Sequence, residues 1–373
     1  MFFKHPLFWK EWKTAKWWST LMVSMLLVML LSVNNALSLI YERRLGVSRV
    51  LTNIPYITSG NVEAPIFLRQ FYDSFTVLII LWLPVILLMS IILFQSERKE
   101  NTGMFVSSLP FTKKEQFGIK WFVGVLAITI PFLLATLFTV LMYQANIDWI
   151  TQWYTISGYD VLLAYDSIWI VLGIVTKMYL FILAFFSAMM LMQSLIANNI
   201  AAGIIGSISL AAPWFIIEAG SASLARILNS DKVRIYGREW SNFYLFALGS
   251  GSSRRFVSSL PGDMYIDPIV SNEHDGLKII ILIAIIVLAI YGGLKSYEKN
   301  DNSRNGYLLM FPWVGKILVP GVTLCSGILG NNLMRDILRI SSVPFEILTL
   351  VISALIGYFI IVKVIERSEK YGG

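Results

Sequence analysis

Few residues of this chain have side chains suited to catalysis or ligand binding, and most of these residues lie within or beside long apolar stretches. Lys177 lies near the middle of an apolar stretch at about 166–192, where a charged side chain is costly and is therefore a candidate functional residue. It could face a central cavity and pair with an acidic group or an anionic substrate. A structural ion pair, or a helix boundary that lets the amine reach the membrane surface, would explain it equally well.

Motifs for enzymatic or metal chemistry are missing from the sequence. Gly315-Lys316 is followed by Ile317 and lacks the upstream glycine, so it cannot cradle a nucleotide phosphate as a P-loop does. His5 and His274 are far apart, and Cys325 is the single cysteine, which excludes an intramolecular disulfide and a zinc cluster. The sequence therefore predicts that the chain is not an enzyme, hydrolyses no ATP itself and carries no cofactor or metal of its own.

Composition indicates an integral membrane protein. Of the 373 residues, 56% are hydrophobic and 14% are charged, whereas about a quarter of a soluble domain is charged. The apolar segments are predicted as helices because exposed backbone is intolerable in lipid, and no ten-residue alternating segments typical of a barrel occur. The net charge of +7 comes from basic residues scattered at helix ends, which favours contact with anionic lipids and argues against a nucleic-acid partner.

The longest polar run between two closely flanking apolar segments is Gln95–Gln116. Within it, helical spacing predicts a small amphipathic helix lying parallel to the membrane surface and formed around Thr102, Phe105, Val106 and Leu109. Pro110 would end this helix, and Thr112 with Glu115 would form a capping box that starts the next spanning helix. Such a helix could transmit the movement of a soluble partner to the spanning helices, although an ordinary cytoplasmic loop fits the pattern as well.

The order of these features resembles the permease subunits of ABC-2 type transporters. The resemblance is carried by Glu97-Arg98-Lys99-Glu100, Thr102-Gly103, Ser107-Ser108-Leu109-Pro110 and Thr112-Lys113-Lys114-Glu115, between the second and third predicted spans. In that family this segment is the coupling helix, which docks on a separate ATPase subunit. Two extra spans at the C-terminus resemble a Firmicute subgroup of antibiotic-responsive and acetoin-linked exporters.

The resemblance implies an exporter of a hydrophobic or amphiphilic substrate, such as a peptide antibiotic or a lipid-linked molecule. ATP and Mg²⁺ would be bound by the partner ATPase subunits, and a second permease copy or a sister permease would complete the complex in the bacterial plasma membrane. The residues that it implies for the ATPase interface are Glu97, Arg98, Glu100, Asn101, Thr102, Phe105, Val106, Leu109 and Lys113.

Positioning these residues requires an all-α, polytopic membrane protein of about eight transmembrane helices in one domain. Its predicted parts are an interfacial elbow helix at 1–16, spans at about 17–40, 74–94, 121–143, 166–192 and 200–217, a coupling segment at 95–118, an extracellular loop domain at 219–276 and C-terminal helices at 277–366. Pro84 and Pro131 would kink the second and third spans. Shorter, denser basic loops on one side predict that both termini are cytoplasmic.

Other polar residues are expected to have simpler roles. Asp166 and Glu218 lie at predicted helix ends and should be interfacial, whereas Arg335, Asp336, Arg339 and Glu346 should be solvated around a short outer turn. Small residues at 201–207 suit close helix packing, with a partner permease as one option.

Two other functions stay open at this stage. An ion-driven secondary transporter should show inverted repeats and mid-membrane acidic residues, and the sequence shows no repeat and almost no such acid. A membrane sensor or scaffold would use the extracellular loop domain to bind its ligand.

Overall fold

A computed structural model describes residues 6–50, 65–99, 111–157, 161–241, 275–300, 307–339 and 342–371. In these ranges the chain is helical, without a strand longer than an isolated bridge. The helices are α1 Pro6–Val50, α2 Ile66–Lys99, α3 Lys113–Ser157, α4 Val161–Tyr165, α5 Ile168–Leu195, α6 Asn199–Ile227, α7 Asp231–Ser241, α8 Asp275–Glu298, α9 Pro312–Leu338 and α10 Val343–Tyr371. Eight of these described helices, all except α4 and α7, are long and apolar enough to cross a membrane, which confirms the predicted all-α, eight-span architecture.

The spanning helices alternate in direction between two faces of the molecule. The start of α1, the end of α2 and the start of α3 meet through Glu11, Leu93 and Lys120. We call this the N-terminal face. On the opposite face, the start of α2 meets the end of α3 through Ile66 and Tyr154. Each pass therefore reverses the chain, as an up-and-down bundle requires.

The short links on the N-terminal face pair with one another. The turn after α5 forms a single antiparallel bridge, Ile196 to Leu309, with the segment that precedes α9. The amide of Leu308 donates to the Ser368 hydroxyl near the end of α10 (2.6 Å). On the same face, Lys114 of α3 pairs with Glu298 at the end of α8 (3.1 Å). The described start of α1 and end of α10 consequently lie on the same face.

The centre of the bundle is α5, which is buried on most sides between α2, α3, α6 and α8. A helix that is apolar around its whole circumference is expected in such an interior position. Aromatic rings fill the space between α2 and α3, for example Trp82 edge-on to Phe132 at 5.1 Å between ring centroids. Apolar side chains that point outward, such as Leu31 and Ile80, form the surface that suits lipid.

Helices α1 and α3 are longer than the sequence predicted. Each has 45 residues, so at 1.5 Å per residue each is about 68 Å long, or twice the hydrocarbon thickness of a bilayer. Hydropathy alone does not locate the ends of these two helices. Helix α3, for example, continues through interfacial residues such as Trp149, which packs edge-on to Tyr41 of α1. No break separates residues 6–16, predicted as an interfacial elbow, from the first span.

Helix α7 folds back along the end of α6. The turn between them includes Asn229, whose φ of 48° is left-handed. Gly237 of α7 lies against Ser221 of α6 so closely that an added Cβ would be 2.0 Å from the serine Oγ. The first part of the predicted loop domain is thus a helical hairpin, whereas residues 242–274 lie outside the described ranges.

Small residues are used for packing inside the chain. On α6, a Cβ at Gly203 would meet Ile91 of α2, and a Cβ at Gly206 would meet Met192 of α5. These two glycines pack against α2 and α5 within the chain, and contact of this stretch with a partner permease stays a prediction. On α9, Gly330 lies against Ser353 of α10 in the same manner, which brings these two helices together as a hairpin.

Candidate functional site

The capping box predicted at the start of α3 is present. The amide of Thr112 donates to Glu115 Oε2 (2.8 Å), and the amide of Glu115 donates to Thr112 Oγ1 (3.2 Å). Two amides that the helix leaves unpaired are thereby satisfied, so α3 has a fixed starting point directly after the predicted coupling segment.

The residues predicted to contact an ATPase are described only in part. Glu97 and Arg98 lie in the last turn of α2. The stretch 100–110 lies outside the described residues, and it contains Glu100, Asn101, Thr102, Phe105, Val106 and Leu109. Lys113 is the first residue of α3, and its ammonium donates to the carbonyl of Asn300 (2.5 Å), just beyond α8. This contact joins the end of the segment to α8.

A buried ion pair lies at the base of α1, α2 and α3. Lys120 Nζ of α3 donates to Glu11 Oε1 of α1 (2.9 Å) and to the carbonyl of Leu93 in α2 (2.5 Å). The Lys120 and Glu11 side chains are 1% and 6% exposed. The ring of Phe94 lies 5.5 Å from the ammonium, at a distance suited to a cation–π contact. We call Glu11, Lys120 and the Leu93 carbonyl the basal node.

The basal node was not predicted from the sequence. Glu11 falls within the predicted interfacial elbow helix at 1–16, and Lys120 lies just after the predicted coupling segment at 95–118. The positions of Glu11 and Lys120 could have indicated this pair. Each residue lies about two turns from the start of its helix, α1 or α3, when the helix is extended to its first residue. Opposite charges at matching depths in two antiparallel or parallel spans favour pairing, because an isolated charge is costly there.

Lys177 does not belong to the basal node. Its side chain is 8% exposed and makes contacts within the chain in the interior of α5. Eighteen residues, or about 27 Å of helix, separate it from Leu195 at the N-terminal-face end of α5. The structure thus brings Lys113 to α8 but keeps Lys177 away from the coupling segment.

A second polar contact fixes the opposite ends of the same helices. Asp166, just before α5, accepts hydrogen bonds from the Leu68 amide (2.7 Å), the Phe67 amide (3.1 Å) and the Tyr154 hydroxyl (2.6 Å). It is fully buried, so the expectation of an interfacial residue was wrong. Burial raises the pKa of the Asp166 carboxyl, while these hydrogen bonds oppose the rise. The carboxyl group covers the start of α2, where unpaired amides favour negative charge.

A third polar cluster joins the ends of α6, α9 and α10. Arg226 Nε lies 3.4 Å from Glu346 Oε1, and the glutamate is 3% exposed. Glu346 is therefore buried in an ion pair rather than solvated as expected. Glu218 was expected at a helix end, but α6 continues to Ile227, nine residues further on. Its carboxylate accepts a hydrogen bond from the Ser241 hydroxyl of α7 (2.6 Å).

No group of three metal-ligating side chains occurs among the described residues. Comparison with family models, with curated proteins and with solved structures finds no match for this chain. The chain is a multi-pass, all-helical membrane protein, and any finer assignment rests on its motifs and on the contacts described above.

Proposed function

We propose that this chain is the transmembrane permease subunit of an ABC exporter. Its substrate is hydrophobic or amphiphilic, such as a peptide antibiotic or a lipid-linked molecule, and a separate ATPase subunit binds ATP and Mg²⁺. The observation that supports this proposal best is the basal node, because it joins three spanning helices within about two turns of the described ends of α2 and α3, which flank the segment that resembles a coupling helix.

The basal node would transmit a displacement of the coupling segment to several helices. Residues 100–110 are bracketed by the end of α2 and the capped start of α3. Since Lys120 holds both Glu11 and the Leu93 carbonyl, displacing α3 would also displace α1 and α2. Lys113 and Lys114 extend the same connection to the end of α8. A partner that closes beneath the segment would thereby move α1, α2, α3 and α8 together.

The distribution of charge supports a cytoplasmic N-terminal face. We place the N-terminal face in the cytoplasm because its loops are short and rich in lysine and arginine. An ATPase subunit with cytoplasmic ATP would then approach residues 95–118 from that side. Both termini are cytoplasmic in this arrangement, and the α6–α7 hairpin is extracellular.

The test is co-purification in mild detergent with tagged wild type and with a Glu100→Arg, Phe105→Asp double variant. We expect wild type to retain a nucleotide-binding subunit and Mg²⁺-dependent ATPase activity, and the double variant to lose both. The matched control is Glu239→Arg with Tyr236→Asp, the same type of change at exposed positions of α7 on the opposite face.

Three results decide the proposal. Loss in the coupling-segment variant with retention in the α7 control supports the permease assignment. If monodisperse wild type carries no ATPase, the chain lacks a motor and the exporter assignment fails. If both variants lose the ATPase equally, the segment at 95–118 is not the specific docking site.

A further inference from the structure

A cleft of about 690 Å³ opens on the face opposite the N-terminal face, between the ends of α6 and α9 and the start of α7. Its walls are partly polar and partly apolar and carry three guanidinium groups. The lining residues are Ala222, Ala225, Arg226, Asn229, Ser230, Asp231, Arg234, Asn332, Arg335 and Asp336. None of these residues belongs to the basal node or to the coupling segment.

Arg226 is held in a fixed orientation at the wall of this cleft. Its Nε lies 3.4 Å from Glu346, and its Nη2 donates to the Asn332 side-chain oxygen and the Ser223 hydroxyl, both at 3.0 Å. Within the described residues its Nη1 has no acceptor. A guanidinium that is fixed on one edge and open on the other is preorganised to bind an anion.

Arg234 is the second charged group of the cleft that favours an anion over a cation. Arg335 pairs with its neighbour Asp336 (3.0 Å). Arg234 of α7 makes no ion pair or hydrogen bond to any described residue. The lining has three guanidinium groups and the carboxylates of Asp231 and Asp336, and Glu346 behind Arg226 adds a third carboxylate. The preference for an anion therefore comes from Arg234 and from the open edge of Arg226. Because Asn332 Oδ1 already accepts from Arg226, its amide nitrogen remains available as a further donor.

The length of α6 and the residues of α7 predict that the cleft lies at the depth of the lipid headgroups. Helix α6 has 29 residues, or about 43 Å, so its last turns extend beyond the hydrocarbon layer of about 30 Å. Helix α7 runs back along these turns with Ile235, Tyr236 and Trp240 all more than half exposed. Aromatic and apolar side chains on a basic amphipathic helix are typical of the membrane interface.

We propose that this cleft binds a phosphate group, with Arg226 and Arg234 as its principal ligands. The phosphate is carried either by the headgroup of an anionic lipid or by a free phosphate ester. Arginine suits this ligand because its planar donors form paired hydrogen bonds with phosphate oxygens. The proposal does not depend on the ATPase partner, so it can be tested on the purified chain alone.

The experiment measures binding to the full chain in neutral detergent by thermal shift and by tryptophan fluorescence, since Trp240 is on α7. The probes are dihexanoyl phosphatidic acid, inorganic phosphate and, as the uncharged-headgroup control, dihexanoyl glycerol. The variants are Arg234→Ala and Arg238→Ala. Arg238 is the matched control because it lies one turn further along α7, pairs with Glu218 and does not line this cleft.

We expect phosphatidic acid to bind wild type and the Arg238→Ala variant alike, and to bind the Arg234→Ala variant about tenfold more weakly, the loss expected for one charge-assisted hydrogen bond. Equal binding of inorganic phosphate would assign the site to free phosphate, whereas binding of the lipid alone would assign it to a headgroup. Binding that is unchanged by Arg234→Ala, or absent for both phosphate probes, would overturn the proposal.

Discussion

Replacing Lys120 by methionine should weaken the fold more than any change of a surface charge on the same face. Methionine keeps most of the length of the lysine stem but removes the charge, so Glu11 is left buried and the Leu93 carbonyl loses its donor. At 2.9 Å and an effective dielectric constant of about 20, the attraction between the two charges is roughly 6 kcal/mol before desolvation. Breaking a buried pair by removing one partner costs about 3–5 kcal/mol.

The matched control for this change is Lys10→Met. Lys10 Nζ also approaches Glu11 Oε1, at 3.7 Å, but its side chain is 45% exposed. An exposed pair contributes about 0–1 kcal/mol, so this variant should resemble wild type. The pair of variants therefore separates the effect of burial from the effect of charge alone.

The assay is thermal unfolding in detergent, followed by size-exclusion fluorescence. At about 2 °C per kcal/mol for a large domain, the Lys120→Met variant should melt about 6–10 °C below wild type. The double variant Glu11→Leu, Lys120→Met should recover most of this loss, because an apolar pair leaves no buried charge. A Lys120→Met variant that melts within 2 °C or so of the Lys10→Met variant would refute the assigned role of the node.

Three further results are expected. First, Gly330→Ala should destabilise the α9–α10 hairpin by about 1–3 kcal/mol through overpacking, because its Cβ would lie 2.1 Å from Ser353 Oγ, whereas Gly321→Ala on the same helix meets open space and should be tolerated in the same melting assay. Second, burial raises the pKa of the Asp166 carboxyl, so this group stabilises the fold at low pH, and the stabilisation is lost as the pH rises through the folded-state pKa. The melting temperature of wild type minus that of Asp166→Asn should therefore fall between pH 4 and pH 8. A difference that grows with pH would indicate a lowered pKa instead. Third, in a Cys325→Ala background, an impermeant maleimide should label Lys232→Cys on intact cells and Lys13→Cys only after permeabilisation, and the reverse pattern would invert the proposed orientation.

The sequence predicted the helical architecture well because the bilayer limits the possible structures. Apolar segments long enough to span had to be helices, and the Thr112–Glu115 motif predicted the start of α3 because capping depends on local chemistry. Helix ends outside the hydrocarbon layer were harder to locate. The continuation of α3 to Ser157 depends on contacts with other helices, and hydropathy does not record those contacts.

The polar sites were predicted poorly for a related reason. Glu11 and Lys120 are far apart in sequence, and their pairing appears only when three helices meet. Asp166 and Glu346 lie next to helix boundaries, where one residue type can be either solvated or buried, and both are buried here through distant partners. The residues of the predicted coupling helix itself, at 100–110, lie outside the described part of the chain, so its shape and its docking role stay predictions.

Helices α2 and α3 are bound to each other at both of their ends. Lys120 of α3 holds the carbonyl of Leu93 on one face, and Tyr154 of α3 accepts the amide of Ile66 on the other. Pro84 and Pro131 both lie between these two attachments. If either helix bent alone at its proline, its length between the attachments would change relative to its neighbour and one attachment would break. A bend of α2 at Pro84 would therefore require a matching bend of α3 at Pro131.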